Sequence, residues 1–161
     1  MTSVRLSTKT SDDFQTPPKA WELFQKYVDL KGLHVWSPFY MKGELTLKHD
    51  HIIHEDKDFF KSEPDFYNCI VDNPSFSNKR QVLERIRDLE KCPPYALLLP
   101  LDTLERVYFK EHMQLEPDFT IIIPNERYNF KGKDDKTNKH NSQKCCWFCF
   151  GWGLGREMIW D

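Results

Sequence analysis

The chain has 161 residues, a length that suits one domain with a single hydrophobic core. Its content of 39% hydrophobic and 30% charged residues excludes a wholly disordered chain. With 23 Lys and Arg against 25 Asp and Glu, the formal charge of -2 excludes a strongly basic domain that binds duplex DNA by charge alone.

The cysteines and the apolar runs indicate the compartment in which the protein works. No run reaches the roughly 18 apolar residues that span a bilayer, so we expect no membrane partner. The N-terminal segment lacks the apolar core of a secretory signal. Five cysteines are an odd number, which favours free thiols in a reducing compartment. We therefore expect an intracellular protein of the cytoplasm or the nucleus.

Hydrophobic periodicity predicts helices and strands in alternation after a flexible polar tail over residues 1–13. The first helix begins at Thr16 and Pro17, where the hydroxyl can cap free amides, and ends at Gly32. The later helices are predicted over residues 43–50, 78–91 and 101–112. The strands are predicted over residues 33–36, 52–53, 67–71, 95–99, 119–123 and 146–150.

This alternation predicts an α/β fold, a sheet with helices on both faces whose last strand, 146–150, is antiparallel. We expect a single domain over residues 14–161. Within it, residues 131–144 form an exposed Lys-rich loop, and residues 151–161 form an aromatic tail for packing or a partner contact.

Three unusual segments follow predicted strands, at residues 37–43, 55–58 and 72–76. Ligands of open α/β sheets lie outside the carboxyl ends of the strands, so these segments are expected to converge on one site. In the third, the Asn73 side chain and a neighbouring backbone carbonyl offer two acceptors for the hydrogens of an exocyclic amine. Phe76 can stack on the base that carries this amine.

Residues 73–76, Asn-Pro-Ser-Phe, resemble the Asn/Asp-Pro-Pro-Tyr/Phe tetrad of amino-group methyltransferases that use S-adenosylmethionine, chiefly the adenine N-6 enzymes. Residues 13–17 resemble the Phe-x-Thr-Pro element of phage-type DNA adenine methyltransferases, and residues 37–43 resemble their Asp-Pro-Phe-x-Gly-x-Gly cofactor loop. A related branch methylates the cap-adjacent adenosine of messenger RNA, and similar short proteins occur in large DNA viruses. A viral protein of this kind would act in the host cell.

The resemblance implies a Rossmann-like class I methyltransferase sheet and S-adenosylmethionine as cofactor. It assigns catalysis to Asn73, Pro74, Ser75 and Phe76. It assigns cofactor binding to Phe14, Thr16, Pro17, Ser37, Pro38, Phe39 and Gly43. One acid among Glu55, Asp56 and Asp58 would bind the ribose hydroxyls, and the sequence leaves the choice open.

The substrate that this resemblance implies is adenine in nucleic acid, with DNA favoured over RNA. Lys131, Lys133, Lys136 and Lys139 are candidate phosphate contacts, unless their loop is a plain solvated connector. The chain has no room for a separate target-recognition domain of about 80 residues, so a partner subunit or a homodimer is a further expectation. We expect no metal site, because nothing completes a ligand set around His49, His51 and His54.

Alternatives remain at each segment. Residues 73–76 can be a plain turn in which Ser75 or Ser77 caps the next helix. Ser75 stands where the family has a second proline, and Gly43 alone remains of the glycine-rich loop, so a non-catalytic methyltransferase-like binding subunit is the alternative function. Methylation of another planar amine, such as that of cytosine, glutamine or a small molecule, is a third.

Overall fold

The computed structural model describes residues 15–40, 45–128 and 143–161. Within these ranges one sheet of seven strands is combined with three α-helices. The helices are α1 (Pro18–Tyr27), α2 (Lys79–Arg87) and α3 (Val107–Leu115). The strands are β1 (Val35–Trp36), β2 (Ile52–Ile53), β3 (Cys69–Asp72), β4 (Tyr95–Pro100), β5 (Phe119–Ile123), β6 (Cys145–Phe150) and β7 (Met158–Trp160). The predicted α/β class is confirmed.

The strand order of the sheet is β2-β1-β3-β4-β6-β5-β7. Neighbouring strands run parallel, except that β6 runs antiparallel to both β4 and β5. The carboxyl ends of the six parallel strands therefore share one edge, which we call the carboxyl edge. The predicted antiparallel strand is thus present, and it lies between β4 and β5 in the sheet.

That strand is not the last one, which corrects the expectation of a terminal aromatic tail. The tail contains β7, which pairs parallel with β5. Only Ile159 of β7 is buried, while Met158 and Trp160 are exposed, so the strand has a single apolar contact with the core. Three glycines between β6 and β7 have positive φ and allow the chain to turn back so that β7 pairs with β5: Gly151, Gly153 and Gly155.

The helices lie on both faces of the sheet, as predicted. Residues of α1 pack with one set of strand side chains, exemplified by Leu98 and Trp147. Residues of α2 and α3 pack with the alternate set, exemplified by Leu97 and Phe148. Because successive strand residues point to opposite faces, β4 and β6 are apolar along their whole length.

Two predicted helices differ from the structure. Residues 45–50 of the predicted helix over 43–50 are not helical; instead Gln25 donates to the Lys48 carbonyl, and Leu47 packs into the core. The predicted helix over 101–112 is divided, because the extended backbone of Arg106 (ψ 137°) separates a 3₁₀ turn (Leu101–Glu105) from α3. The first and second long helices are shorter than predicted and end at Tyr27 and Arg87.

The described helices have at most 10 residues, and none has the length and hydropathy of a membrane span. All five cysteines lie in the described ranges, and no disulfide joins them.

Candidate active site

The four residues after β3, Asn73 to Phe76, form a turn at the carboxyl edge, and we call it the Asn73 turn. The strand before it is fully buried, and Pro74 lacks the amide that would continue the strand ladder. The side chain of Asn73 is 5% exposed. Phe76 is half-buried and packs against the cluster on the α1 face. The turn thus begins beneath the protein surface.

The side chain of Asn73 has one satisfied and one unsatisfied polar atom. Its Nδ2 donates a hydrogen bond of 2.8 Å to Thr16 Oγ1. Its Oδ1 is buried and has no hydrogen-bond partner among the residues that the structure describes. A buried amide oxygen without a partner is costly, and it is an available acceptor for a ligand N–H.

The Thr16 hydroxyl joins two segments that are 57 residues apart in the sequence. The backbone carbonyl of Thr16 accepts a hydrogen bond of 2.9 Å from Thr46 Oγ1, which fixes the residue from a second side. Pro17 follows it as the N-cap of α1, and no side chain caps that helix. The Thr16 hydroxyl therefore holds Asn73 rather than capping α1.

The alternative of a plain capping turn at residues 73–76 is likewise unsupported by the contacts. The N-cap of α2 is Asn78, and it makes no side-chain capping bond. The Ser75 hydroxyl lies 3.2 Å from that of Ser77, so these two hydroxyls are paired with each other.

Ser75 has the backbone conformation that proline would take at the same position. Its φ of -59° and ψ of 133° lie within the range to which a proline ring restricts the chain. The serine thus preserves the local shape that a Pro-Pro pair would impose, without its covalent restriction.

Asp72 is a site residue to which sequence analysis assigned no role. Its carboxylate accepts hydrogen bonds from the amide of Phe39, at 2.7 Å, and from the amide of Asn73, at 2.8 Å. Burial raises the pKa of Asp72 to about 7, although both amides act in the opposite direction. The carboxylate joins the loop after β1 to the Asn73 turn. The sequence signal that could have identified Asp72 is the presence of an acid at the end of an otherwise apolar strand.

The loop after β1 contains three predicted cofactor residues. Ser37 and Pro38 are buried, and Phe39 is half-buried with its ring centre 5.1 Å from that of Phe59. His54 Nδ1 donates to the Ser37 carbonyl at 2.8 Å, which ties this loop to the end of β2.

Two crevices adjoin the Asn73 turn and the loop after β1, and a third at the same edge is lined by residues that follow β5 and β7. The first crevice is narrow, with a cavity volume of about 10 Å³. It is lined by Gln15, Thr16, Trp21, Phe39, Leu45, Thr46, Asp72 and Asn73. The second crevice has a cavity volume of about 30 Å³. It is lined by Trp36, Pro38, Glu55, Lys57, Phe59, Ser62, Glu63 and Pro64. Since Pro38 and Phe39 are adjacent in the chain, the loop after β1 separates the two crevices.

The three candidate ribose acids have different environments. Glu55 lines the second crevice, is exposed, and lies 3.4 Å from the Lys57 ammonium. Asp56 is also exposed. Asp58 is fixed in a turn by the amide of Phe60 at 2.9 Å, and its Oδ2 is buried without a partner among the described residues. Glu55 is the acid best placed for a ligand in the second crevice.

Several predicted site residues lie outside the described ranges. These are Phe14, Gly43, Lys131, Lys133, Lys136 and Lys139. Inside the ranges, no group of three or more His, Cys, Asp or Glu side chains is arranged to hold a metal ion. His49 instead contacts the Leu33 carbonyl at 2.6 Å, and the His51 ring stacks on that of His34.

The chain matches neither a protein-family model nor a curated protein. The functional argument therefore depends on the geometry of the carboxyl edge.

Proposed function

We propose that the protein transfers a methyl group from S-adenosylmethionine to the exocyclic amine of adenine in nucleic acid, with DNA favoured over RNA. The observation that carries the proposal is the buried Oδ1 of Asn73, which has no partner in the described part of the chain and belongs to a side chain that Thr16 holds beside the first crevice. A Rossmann-like methyltransferase sheet is part of the proposal. The common carboxyl edge of the parallel strands and the inserted antiparallel β6 support it.

The donor set fits the proposed cofactor. Thr16 and Phe39 border the first crevice and Glu55 borders the second, so an elongated ligand can contact both across the loop after β1. Glu55 would accept hydrogen bonds from ribose hydroxyls, because a carboxylate offers two acceptor oxygens. Thr16, Pro17, Pro38 and Phe39 would hold the remainder. When bound, S-adenosylmethionine supplies an electrophilic methyl group on a sulfonium.

The role of Asn73 is to orient the amine. Its Oδ1 would accept a hydrogen bond from one amine hydrogen, which favours a nitrogen whose lone pair points toward the methyl group. Phe76 would stack on the adenine ring and keep the amine within hydrogen-bond distance of Asn73 Oδ1. Asn73 and Phe76 would hold the amine so that it could accept the methyl group that the cofactor would supply, and the surplus amine proton would pass to solvent. No covalent enzyme intermediate is required.

Calorimetric titration with S-adenosylmethionine tests the cofactor site first. We expect binding in the micromolar range, about -8 kcal/mol. Transfer of a labelled methyl group to DNA and RNA oligonucleotides then tests the reaction and the preference between them. Absence of binding at millimolar cofactor would overturn the proposal and favour a non-catalytic binding subunit.

The Asn73→Ala variant separates catalysis from cofactor binding. We expect methyl transfer to fall by about 100-fold or more, the effect of removing one transition-state hydrogen bond, with cofactor affinity changed far less. Asn125→Ala is the matched control, since Asn125 is an exposed asparagine that follows β5 at the same edge. Equal losses in both variants would contradict the role of Asn73.

A further inference from the structure

A second polar cluster lies at the carboxyl edge, outside the two crevices. Lys79 begins α2, three residues after Phe76, and its Nζ lies 3.4 Å from the Thr103 hydroxyl. Thr103 is fully buried in the 3₁₀ turn that follows β4. The cluster therefore lies between the Asn73 turn and the end of the neighbouring strand.

The ammonium group of Lys79 differs in its environment from the guanidinium of the adjacent Arg80. It is half-buried, and burial lowers its pKa, with Asp102 opposing and Arg106 reinforcing that effect. Thr103 is its hydrogen-bond partner, and no carboxylate forms an ion pair with it within the described ranges. The adjacent Arg80 is different, because it is 65% exposed and pairs with Glu84 at 2.9 Å.

An independent donor adjoins Lys79. Asn78 is 7% exposed, and its Nδ2 has no hydrogen-bond partner among the described residues. Asn78 also precedes the first turn of α2, where backbone amides and the helix dipole favour an anion. A buried amide donor and a half-buried ammonium without a carboxylate are thus consecutive in the chain.

The charge balance of the cluster is positive. Asp102 contributes one negative charge; its Oδ2 lies 3.0 Å from Gln143 and 3.9 Å from Arg106, and its Oδ1 is buried without a partner among the described residues. Lys79 and Arg106 contribute two positive charges, so one positive charge remains. The matching ligand is an anion that offers several acceptor oxygens, as a phosphate group does.

We propose that Lys79 and the Asn78 amide bind a backbone phosphodiester of the nucleic-acid substrate and thereby position the target base on Phe76. The proposal rests on the function proposed above and adds the contact by which the substrate backbone is held. It assigns this contact to the start of α2.

Fluorescence anisotropy with a labelled single-stranded DNA oligonucleotide tests the contact in the full chain. Lys79→Gln should weaken affinity about 5- to 10-fold at 100 mM salt, and should reduce the slope of log affinity against log salt by about 0.7, the loss of one phosphate contact. Arg80→Gln is the matched control and should leave both quantities unchanged. Lys79→Arg should retain most of the affinity, and melting temperatures establish that each variant folds.

The outcomes distinguish this inference from the proposed function. If the protein binds S-adenosylmethionine and methylates the oligonucleotide while Lys79→Gln retains wild-type affinity, the phosphate contact alone is overturned. If Lys79→Gln weakens oligonucleotide binding but no variant binds the cofactor, the contact is supported and the methyltransferase proposal fails. If inorganic phosphate stabilises the wild type but not Lys79→Gln, and oligonucleotide affinity is equal, the site takes a free anion and the backbone contact is overturned.

Discussion

Asn73 and His112 are two buried polar side chains that each make one hydrogen bond and leave one polar atom unsatisfied among the described residues, but their surroundings differ. Asn73 donates to Thr16, and His112 is hydrogen-bonded to the Tyr95 hydroxyl. Among the described residues, the Oδ1 of Asn73 and the Nδ1 of His112 have no partner. Asn73 borders a crevice at the carboxyl edge. His112 is 1% exposed and is packed against the rings of Phe109 and Phe150.

The surroundings of the two unsatisfied atoms indicate which of them marks a ligand site. His112 lies in the apolar cluster beneath α3, where burial lowers its pKa to about 4 and keeps the ring neutral. A neutral ring in an aromatic cage contributes packing, and that packing offsets one unpaired nitrogen. Asn73 instead borders a crevice at the carboxyl edge, so a ligand is the partner that suits its oxygen.

The largest predicted effect tests the packing role of His112. His112→Ala should lower the free energy of unfolding by about 3 kcal/mol, because it leaves a cavity and deprives the buried Tyr95 hydroxyl of its partner. Urea denaturation at pH 7 measures it. His51→Ala, at an exposed histidine, should change the same quantity by less than about 0.5 kcal/mol. Similar losses of unfolding free energy in the two variants would contradict the packing role of His112.

The second prediction uses pH, because the site and the core respond to it with opposite signs. Burial raises the pKa of Asp72 from 3.8 to about 7, so the folded state binds the extra proton and stability falls as pH rises between these values. His112 has a pKa lowered from 6.5 to about 4, so the unfolded state binds the extra proton and stability rises with pH over that range.

Asp72→Asn removes the contribution of Asp72 to the pH dependence of stability. Relative to the wild type, the unfolding free energy of the variant should increase by about 1.4 kcal/mol per pH unit between about pH 5 and pH 6. Urea denaturation at several pH values gives this difference directly. Parallel curves for the two proteins would mean that Asp72 is ionised in the folded state at both pH values. The same variant should also weaken cofactor binding, since an amide cannot accept from both Phe39 and Asn73 as the carboxylate does.

The strands in the core were predictable because their signal is local. The continuous apolar runs of β4, β5 and β6 end at prolines or glycine, and their predicted bounds agree with the structure within one residue. β7 was missed, since one buried residue between two exposed ones gives no periodic pattern among glycines. The non-helical conformation of residues 45–50 depends on contacts of Gln25 and Thr46 with distant backbone, which sequence periodicity does not report.

The candidate site was predictable in part. The resemblance assigned Thr16 to the cofactor and Asn73 to catalysis without predicting a contact between them, and the structure places them in hydrogen-bond contact. Asp72 was not expected to act, because its role comes from the Phe39 amide, 33 residues away. Lys79 was equally hidden, since a lysine at the start of a helix is ordinarily solvated, and its lack of a carboxylate partner is a tertiary property.

The third prediction concerns the bond that fixes Asn73. Thr16→Val keeps the shape of the side chain but removes the acceptor for Asn73 Nδ2, which should cost about 1 kcal/mol of stability and reduce methyl transfer about tenfold. Thr120→Val is the matched control, because it removes a hydrogen bond from a buried threonine to the Arg156 carbonyl, away from both crevices. Equal methyl-transfer rates in the two variants would show that the orientation of Asn73 does not depend on Thr16.

The smallest effect on stability is expected at Glu55, where the site extends to the exposed surface. Glu55→Gln removes a surface ion pair with Lys57, so the unfolding free energy should change by less than about 0.5 kcal/mol. Affinity for S-adenosylmethionine should fall about tenfold if Glu55 accepts from ribose, the effect of losing one charge-assisted hydrogen bond. Glu84→Gln, which removes another surface ion pair, should leave affinity unchanged.

Asp58→Asn decides between the two acids. If Glu55→Gln binds cofactor like the wild type and Asp58→Asn binds more weakly without losing stability, the ribose contact belongs to the buried Oδ2 of Asp58. That oxygen would then behave as the Asn73 oxygen does, a buried acceptor completed by a ligand. If Asp58→Asn instead loses stability and affinity together, its bond to the Phe60 amide explains both losses, and the ligand contact remains with the exposed acid.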